Sequence, residues 1–374
     1  MEFKLIIKNL KKTLTAEERI IFSKWYNERK AHKNYFDNVK ANYQNDIHNI
    51  NIENGWKAIE SKIEASKQKN NYWKYAIAAS VVILISISYV FNKDNAQVNE
   101  PIIVNNTIEI GTDKAILTLE DGSDIMLGKG QDYIAGNLNS NGEELIYNVV
   151  SNSKAEIKYN YLTIPRGGQF HVILSDGTEV WLNSESQLKY PVAFNNGETR
   201  QVELVYGEAY FDVSSSTDHD GANFKVNTLV QEVEVLGTEF NIKAYKDETN
   251  ISTTLVEGNV IVNFEGKKQN LVPNQQSNLN INTNTISVKN VDVYNETSWK
   301  DGIFSFEEKS LKEIMKVLSR WYDVDIVFKN KTIENEEFMG VLGKDQNLEE
   351  ILSSIKNFGI IKDFQVKNKK VLLE

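Results

Sequence analysis

The spacing of hydrophobic residues changes along the chain, and each change marks a different kind of predicted structure. Over residues 1–70 the apolar residues recur at helical intervals, and Thr15 and Glu18 form a capping-box pattern ahead of Ile21 and Trp25. Two further helical stretches follow before residue 70. The pattern predicts a small all-α domain over residues 1–70.

A run of residues without any charge, Tyr75–Phe91, follows the helical region. At 1.5 Å rise per residue it extends roughly 26 Å, close to the ~30 Å hydrocarbon core of a bilayer, and Trp73 stands where an interfacial aromatic belongs. The pattern predicts a transmembrane helix over residues 73–91. A buried core helix or a β-branched core strand is the alternative, but neither explains why every face is apolar. A cleaved signal peptide does not fit, because a long and mostly polar stretch precedes the run.

Residues 92–107 are polar and are predicted to form a linker. From residue 108 to 295 short runs of alternating apolar residues are separated by Asp-Gly or Gly, which is typical of strands and tight turns. Leu119–Leu127 and Leu174–Leu182 share one strand–turn–strand pattern, and such a repeat is expected of stacked hairpins. This pattern predicts a β-rich domain over residues 108–295, either solenoid-like or a sandwich.

Residues 300–374 show both the helical spacing and the strand-like alternation of apolar residues. Helical runs over 310–322 and 347–358 each lie between two short strand patterns. The pattern predicts a C-terminal α+β domain of two βαβ-like units. Such a domain leaves sheet edges, so two roles stay open: it receives a strand from a partner, or it only caps the β-rich domain.

The charge distribution predicts which side of a membrane each half faces. Residues 1–74 carry 15 Lys and Arg against 9 Asp and Glu, a net charge of +6, and residues 75–374 carry 27 against 43, a net charge of −16. By the positive-inside rule the N-terminus is cytoplasmic and the larger part is periplasmic. The predicted fold class is therefore multi-domain: a small all-α cytoplasmic domain, one transmembrane helix, a β-rich periplasmic domain and a C-terminal α+β domain.

No residue pattern in the chain indicates catalysis. There are no cysteines and only four histidines, whose spacing fits no metal site. Ser353 and Lys356 match part of a nucleophile motif but lack its companion motifs, and Arg166-Gly-Gly lacks the pattern of a phosphate-binding loop. An acidic exported part also disfavours a nucleic-acid partner. We therefore expect no enzymatic activity, no cofactor and no metal.

Several segments resemble one family of regulators. The segments are Ile164-PRGGQF-Phe170, Leu174-SDGTEVWLNSESQLKYP-Pro191, Val205-YGEAYFDV-Val213, Val235-LGTEFNIKAY-Tyr245, Thr254-LVEGNV-Val260 and Trp299-KDGIFSF continuing through Leu318-SRWYDVDIVF-Phe328. They are similar to the FecR-type anti-sigma factors found in Bacteroidetes. The end of the chain resembles the C-terminal domain of that family, which is similar to the short N-terminal domain of secretins and TonB-dependent receptors.

The resemblance implies a signalling protein of the inner membrane with a single span. Its cytoplasmic domain would bind an extracytoplasmic-function sigma factor, and its periplasmic part would contact an outer-membrane TonB-dependent transducer. Ile21, Phe22 and Trp25 are the predicted sigma-factor contacts, on one apolar stripe of the first helix. The alternative for these three residues is that they form the core of a three-helix unit.

Two other functions remain as alternatives. One is a membrane-anchored module that binds carbohydrate or the cell wall through aromatic residues of the β-rich domain, namely Trp181, Tyr190, Tyr206 and Tyr210. Alternating strands place many such aromatics inward, so this alternative requires that some of them face solvent. The other is an anchored enzyme.

Overall fold

We analysed a computed structural model, which describes residues 8–10, 12, 14–28, 33, 36, 40, 108–136, 138–148 and 157–374. The chain divides into two compact units, Glu2–Asn105 and Asn106–Glu374.

The N-terminal unit contains one described helix, α1 (Ala16–Glu28). Ile20 on this helix is 71% exposed, and Phe22 contacts the rings of Tyr26 and Phe36. The predicted small all-α domain is not seen, so this part of the predicted fold class is wrong. A helical period in the sequence fixes local conformation only, and it does not specify the contacts between helices that make a domain.

The membrane-spanning part of the predicted fold class is also not supported. Among the residues that the structure describes, no helix is long and apolar enough to cross a membrane. The run that led to the prediction, residues 73–91, lies outside the described residues, as does the predicted linker 92–107. The regular secondary structure of the described residues is mostly β-strand.

The β-domain follows, and apart from a 3₁₀ turn at Ser216–His219 its regular elements in the described residues between 108 and 290 are all strands. The strands are β1 (Thr112–Thr118), β2 (Asp124–Gly128), β3 (Tyr133–Ala135), β4 (Leu138–Ser140), β5 (Glu144–Tyr147), β6 (Tyr159–Ile164), β7 (Gly168–Ile173), β8 (Glu179–Leu182), β9 (Ser186–Pro191), β10 (Arg200–Asp212), β11 (Phe224–Asn227), β12 (Glu232–Val235), β13 (Glu239–Ala244), β14 (Asn250–Glu257), β15 (Val260–Phe264), β16 (Lys267–Leu271), β17 (Gln275–Asn280) and β18 (Thr285–Asn290).

The strands form two layers around one apolar core. One layer has the order β2-β1-β6-β9-β10-β11-β12-β15-β16, and the other has the order β3-β4-β5-β7-β8-β10-β13-β14-β17-β18. Most pairs are antiparallel, and the alternation of buried and half-exposed residues follows from the two-residue period of a strand. Inward residues of both layers join a single hydrophobic cluster.

Strand β10 belongs to both layers. Its first half pairs with β9 and β11, and its second half pairs with β8 and β13. Gly207 lies between the halves with φ +102°, and a Cβ at this position would come within 2.2 Å of Ser186 Oγ. Glycine is therefore required at the bend, for its backbone freedom and for the close approach of β9.

The C-terminal domain is reached through the short helix α2 (Val293–Thr297) and a 3₁₀ turn, Ser298–Asp301. Its elements are β19 (Ile303–Ser310), α3 (Leu311–Trp321), β20 (Asp325–Phe328), β21 (Glu337–Gly343), α4 (Leu348–Asn357), β22 (Phe364–Lys367) and β23 (Lys370–Leu373). A capping box between Ser310 and Glu313 begins α3. Apolar faces of both helices pack in a second hydrophobic cluster.

The pairing of these strands corrects the predicted pair of βαβ-like units. β19 pairs with β21 of the other unit, whereas β20 pairs with β23 in parallel and β22 joins the outer side of β23. The two repeats thus exchange strands into a two-stranded and a three-stranded sheet. The sequence period identifies strands and helices, but their partners are decided by how α3 and α4 pack on both sheets.

Candidate functional site between the β-domain and the C-terminal domain

The segment that enters the β-domain also packs on the C-terminal domain. Ile108 is 9% exposed and belongs to the C-terminal hydrophobic cluster. A Cβ on Gly111 would meet the Trp321 ring at 2.6 Å, so only glycine fits between β1 and α3. Residues 108–111 are therefore held by the domain at the far end of the chain.

Arg166 extends from the β6–β7 turn to the end of α3. Its Nη2 donates to the carbonyl oxygens of Ser319, at 2.8 Å, and Val324, and its guanidinium forms ion pairs with Asp323 and Asp325 at 3.6 and 3.4 Å. The C-terminal carbonyls of a helix carry partial negative charge, so a cation is favourable there. Arg166 thus caps α3 from another domain.

Arg320 makes the reverse contact from α3 to the β-domain. Its Nη1 donates to Glu248 at 2.9 Å, its Nε donates to Glu185 at 3.2 Å, and its Nη2 donates to Asp247. The guanidinium also lies 3.6 Å from the centroid of the Tyr245 ring. We call Arg320, Glu185, Asp247 and Glu248 the ionic cluster.

The charges in the ionic cluster act on Asp247 in particular. Burial alone would raise the pKa of this carboxyl, but the hydrogen bond from Lys316 and the positive charge of Arg320 outweigh burial and lower the pKa. Lys316 Nζ lies 3.0 Å from the second carboxylate oxygen. Asp247 is therefore ionised and bridges two cations of α3.

Lys344, which follows β21 directly, occupies a dry part of the same junction. It is 3% exposed, and its Nζ donates to Gln169 Oε1 at 2.6 Å and to the Trp299 carbonyl oxygen at 3.2 Å. The same nitrogen lies 3.8 Å from the centroid of the Trp321 ring. Burial lowers the pKa of Lys344 to about 7, against the upward effect of the charges on Glu208 and Asp113. We call Lys344, Gln169, Trp299 and Trp321 the lysine cluster.

Trp299 connects this cluster to the interior of the β-domain. Its indole Nε1 donates to Asn241 Oδ1 at 3.2 Å, and Asn241 donates to Glu208 at 3.0 Å. Asn183 donates to the other carboxylate oxygen of Glu208 at 2.9 Å. Burial raises the pKa of Glu208, and Lys243 and the two amides oppose that rise. A continuous hydrogen-bonded path thus runs from Lys344 to β10.

We call Arg166, the ionic cluster and the lysine cluster together the clasp, because they hold the two domains against each other. A cavity of about 140 Å³ beside it is lined by Asp113, Gln169, His171, Trp181, Trp299 and Lys300, among others. In the part of the chain that the structure describes, no three His, Cys, Asp or Glu side chains are grouped so as to hold a metal ion. Arg166 and Arg320 join α3 to the β-domain and Lys344 contacts Gln169 on β7, so these contacts hold the two domains together.

The predicted sigma-factor residues lie in the other unit, on α1. Residues 21, 22 and 25 share one side of the helix by their spacing, and the Phe22 ring lies 5.9 Å from Tyr26 and 5.5 Å from Phe36. The side chains of Ile21 and Trp25 lie outside the described residues. The role of these three residues stays a prediction.

The aromatics proposed for carbohydrate binding do not form an open platform. They are Trp181, Tyr190, Tyr206 and Tyr210. Tyr190 and Tyr210 are only 0% and 4% exposed. The Trp181 ring is stacked against His171 at 4.3 Å, and Lys246 Nζ lies 3.8 Å above the Tyr206 ring. Each ring already has a protein partner where a sugar would have to stack.

Sequence reasoning did not identify the clasp, although two of its members lie in motifs that carry the resemblance. Arg166 belongs to PRGGQF and Arg320 belongs to LSRWYDVDIVF, and the structure brings these motifs together. A signal was available for Arg320, because a long charged side chain among apolar residues needs a partner when it is buried. Lys344 gave no such signal, since it follows a strand at a position where a solvated lysine is ordinary.

Comparison with known proteins agrees with this architecture. The FecR protein family matches residues 160–261, and the family of FecR C-terminal domains matches residues 303–373. Two crystal structures of a proposed anti-sigma factor from Parabacteroides distasonis ATCC 8503 are similar, each with 28% identity and a TM-score of 0.52. Each match covers 57% of this chain and 98% of the other. No curated protein matches the chain. A FecR domain and a FecR C-terminal domain thus lie in one compact unit of this chain, and in this respect the chain is similar to the FecR-type anti-sigma factors.

Proposed function

We propose that this protein relays a signal from an outer-membrane TonB-dependent transducer to an extracytoplasmic-function sigma factor. In this proposal residues 1–70 face the cytoplasm and bind the sigma factor, and the β-domain and the C-terminal domain face the periplasm. The net charge of +6 before residue 75 and −16 after it supports this orientation at the inner membrane.

The contact of residues 108–111 with α3 is the observation that carries the proposal. This segment is the first described part of the chain after the N-terminal unit, and its Gly111 fits against Trp321 without room for a side chain. A partner that moved α3 would therefore pull on the segment that leads to the N-terminal unit. Coupling of this kind needs an element with two arrangements, and the clasp is the element we propose.

The receiving surface for the transducer is proposed to be a sheet edge of the C-terminal domain. In the described residues, β22 pairs only with β23 and β20 pairs on one side only, also with β23. Val327 on β20 is 37% exposed. A free strand edge can take an added strand through main-chain hydrogen bonds, which needs no reactive side chain.

Replacement of one glycine tests the relay. Gly111→Ala places a methyl group where the Trp321 ring lies, so it should loosen the segment from α3. In cells that carry a reporter for the sigma-factor regulon, we expect the variant to lose most of its response to the inducing substrate. The matched control is Gly130→Asn, because a Cβ at Gly130 meets nothing within 4 Å and asparagine tolerates its φ of +78°.

Immunoblots and a co-purification complete the test. Both variants must accumulate to wild-type levels, so that a lost response reflects signalling and not degradation. Full-length protein used as bait should capture a sigma factor from the cytosol, and Trp25→Ala should weaken this complex by about 2 kcal/mol if Trp25 is an interface anchor. An unaltered response in Gly111→Ala, or a bait that captures no sigma factor, would contradict the proposal.

A further inference from the structure

The turn between β11 and β12 exposes two large apolar side chains at its tip. Leu229 is 86% exposed, which is the highest value among the large hydrophobic residues that the structure describes, and Val230 is 37% exposed. Turns of this kind ordinarily carry Gly, Asn, Asp or Ser. Packing within the β-domain does not explain an apolar pair at the outermost point of a hairpin, and exposed apolar surface of this kind marks a contact with something else.

The base of this turn is fixed, so the two apolar residues are held out from the domain. The Thr228 N–H donates to the Gln231 carbonyl oxygen at 2.8 Å, and the Gln231 N–H donates to Thr228 Oγ1 at 3.2 Å. Gln231 is 3% exposed, and its side-chain amide donates to Thr253 Oγ1 on β14 at 2.9 Å. The tip is therefore preformed and needs little ordering when it binds.

The turn between β15 and β16 supplies positive charge at the same end of the layer. Glu232, at the base of the first turn, lies opposite Asn263 on β15, and Lys268 on β16 lies opposite Asn263 from the other side. Lys267 and Lys268 are exposed, and within the described residues neither of them forms an ion pair. Glu265 in the same turn carries the opposite charge, so the two lysines leave this turn with a net charge of +1.

The turn between β17 and β18, in the other layer, lies at this end as well. Asn280, the last residue of β17, pairs with Asn250 where β14 begins, and Thr253 on the same strand holds the first turn. Ile281 follows directly and is 38% exposed. Two turns with exposed apolar residues and one turn with two unpaired lysines therefore share one end of the β-domain.

The strand directions show that the chain also enters the β-domain at this end. β1 is antiparallel to β6, β6 is antiparallel to β9, and β9 is antiparallel to β10, whereas β10 runs parallel to β11. It follows that β1 begins at the end where β11 finishes. Residues 108–111, which lead to β1, therefore lie at the end that carries the apolar turns.

The chemistry of these turns fits the surface of an anionic bilayer. Apolar side chains enter the boundary between headgroups and acyl chains, while lysine ammonium groups stay at the level of the lipid phosphates. A second copy of the chain is the alternative occupant. A two-fold contact between copies would bring the same turn of each copy together, and the lysines of both would then repel one another.

We propose that the β11–β12 turn docks on anionic phospholipid, with Leu229 and Val230 in the interface and Lys267 and Lys268 at the headgroups. The choice of membrane rests on the proposed function, because the bilayer in reach is the one that would anchor the chain. The lipid contact itself follows from the turns. Such a contact would set the tilt of the β-domain above the bilayer.

Fluorescence quenching on the full-length protein tests this proposal. The chain has no cysteines, so Leu229→Cys provides a single site for a small environment-sensitive dye. The protein is reconstituted into phosphatidylcholine vesicles with or without phosphatidylglycerol, and a nitroxide on a lipid acyl chain serves as the quencher. We expect quenching of the dye at residue 229 when phosphatidylglycerol is present. The double variant Lys267→Gln, Lys268→Gln should remove about half or more of it, because each lysine near the surface contributes a roughly fivefold gain in affinity.

Two matched controls lie at the opposite end of the β-domain. Asn196→Cys places the same dye in the exposed β9–β10 loop, where we expect no quenching. Lys289→Gln removes an exposed lysine near the end of β18 and should leave the quenching at residue 229 unchanged. Thermal melting should show that all variants are folded.

Hydrogen exchange on the unlabelled protein gives a second reading without a dye. The amides of residues 228–231 should exchange about threefold or more slowly in vesicles that contain phosphatidylglycerol than in vesicles that do not. The double variant Leu229→Ser, Val230→Ser should lose this difference, because it removes the apolar groups that enter the bilayer.

An alkaline wash of the vesicles shows separately whether the chain is anchored. A protein that washes off contradicts the proposed single span, whereas quenching measured before the wash still decides the lipid contact. Equal quenching at residues 229 and 196, or equal quenching at residue 229 with and without phosphatidylglycerol, would overturn the proposal. A dye signal at residue 229 that follows protein density and not the quencher would overturn it too, and would place a second copy at the turn.

Discussion

The ionic cluster and the lysine cluster connect the same two domains in physically different ways. Arg320 in the ionic cluster has a side chain that is 5% exposed, but its partners Glu185 and Asp247 are 46% and 57% exposed. Lys344 is 3% exposed and is surrounded by indole rings and neutral hydrogen-bond acceptors. One contact therefore depends on charge pairing at the edge of solvent, and the other depends on keeping a single amine out of water.

The two clusters therefore oppose separation of the domains by different mechanisms. Separating a buried ion pair leaves one buried charge without a partner, which costs free energy. A buried amine can instead lose its proton and remain buried as a neutral group. The pKa of Asp247 is lowered by its cations despite burial, which favours the charged carboxylate. The pKa of Lys344 is lowered by burial, which favours the neutral amine. The first contact is sensitive to removal of its partner, and the second is sensitive to pH.

The largest effect is expected from the ionic cluster. Arg320→Ala leaves Glu185, Asp247 and Glu248 facing one another without their shared cation. Breaking a fully buried pair costs about 3–5 kcal/mol, and because two of these carboxylates are half exposed we expect a loss of about 2–3 kcal/mol. Urea unfolding of the full-length protein, followed by tryptophan fluorescence, measures the change in the free energy of unfolding.

Arg320→Lys is the informative companion to that substitution. A lysine keeps the charge but cannot reach three carboxylates with a planar fork, so it should recover only part of the loss. If Arg320→Lys were as stable as the wild type, charge alone would hold this contact. If Arg320→Ala cost less than about 0.5 kcal/mol, the ionic cluster would not join the domains at all.

An intermediate effect, and one with a distinct pH dependence, is expected from Lys344→Met. Between the folded-state pKa of about 7 and the ordinary value of 10.5, the unfolded chain binds one more proton at Lys344 than the folded chain. The free energy of unfolding therefore rises with pH in this window, by up to about 1.4 kcal/mol per pH unit from this group, and the contribution is flat below pH 7. The methionine variant lacks this dependence.

The measurement is the stability difference between wild type and Lys344→Met across that window. We expect the wild type to gain on the variant as the pH rises from about 7 to 10. Lys300→Met serves as a control, since it removes an amine that lies closer to solvent and pairs with Asp301 at 3.0 Å. Parallel profiles for wild type and Lys344→Met would mean that Lys344 keeps its proton when buried, and the contrast between the two clusters would then be wrong.

The sequence predicted the local elements of the C-terminal domain well but not their connections. The helical run 310–322 corresponds to α3 at Leu311–Trp321, and the run 347–358 corresponds to α4 at Leu348–Asn357, because each carries an apolar stripe that only a helix can bury. The exchange of β19 and β21 could not be predicted, since strand pairing depends on contacts between residues far apart in sequence.

The partners of the residues in the clasp were beyond prediction for the same reason. Arg166 and Arg320 lie more than a hundred residues apart, and only the folded chain brings the β6–β7 turn to the end of α3. Burial lowers the pKa of Lys344, and the residues that bury it, among them Trp299, Phe304 and Trp321, come from separate elements. The domain limits, the membrane orientation and the contacts of Ile21, Phe22 and Trp25 stay predictions.

The smallest effect is expected from Arg166, although it makes as many contacts as Arg320. Its two carboxylate partners are surface groups, and Asp325 is 77% exposed, so these ion pairs contribute about 0–1 kcal/mol and are screened by salt. Its hydrogen bond to the Ser319 carbonyl oxygen is retained in part by an amide, which also donates. Arg166→Gln should therefore lower the free energy of unfolding by about 1 kcal/mol, and the loss should shrink at high salt.

Lys158→Gln is the control. It removes an exposed pair with Glu120 and should change the free energy of unfolding by less than about 0.5 kcal/mol. A loss in Arg166→Gln equal to that in Arg320→Ala would show that capping of α3 from the β-domain matters as much as the ionic cluster, and exposure of the partners would no longer explain the difference between the two arginines.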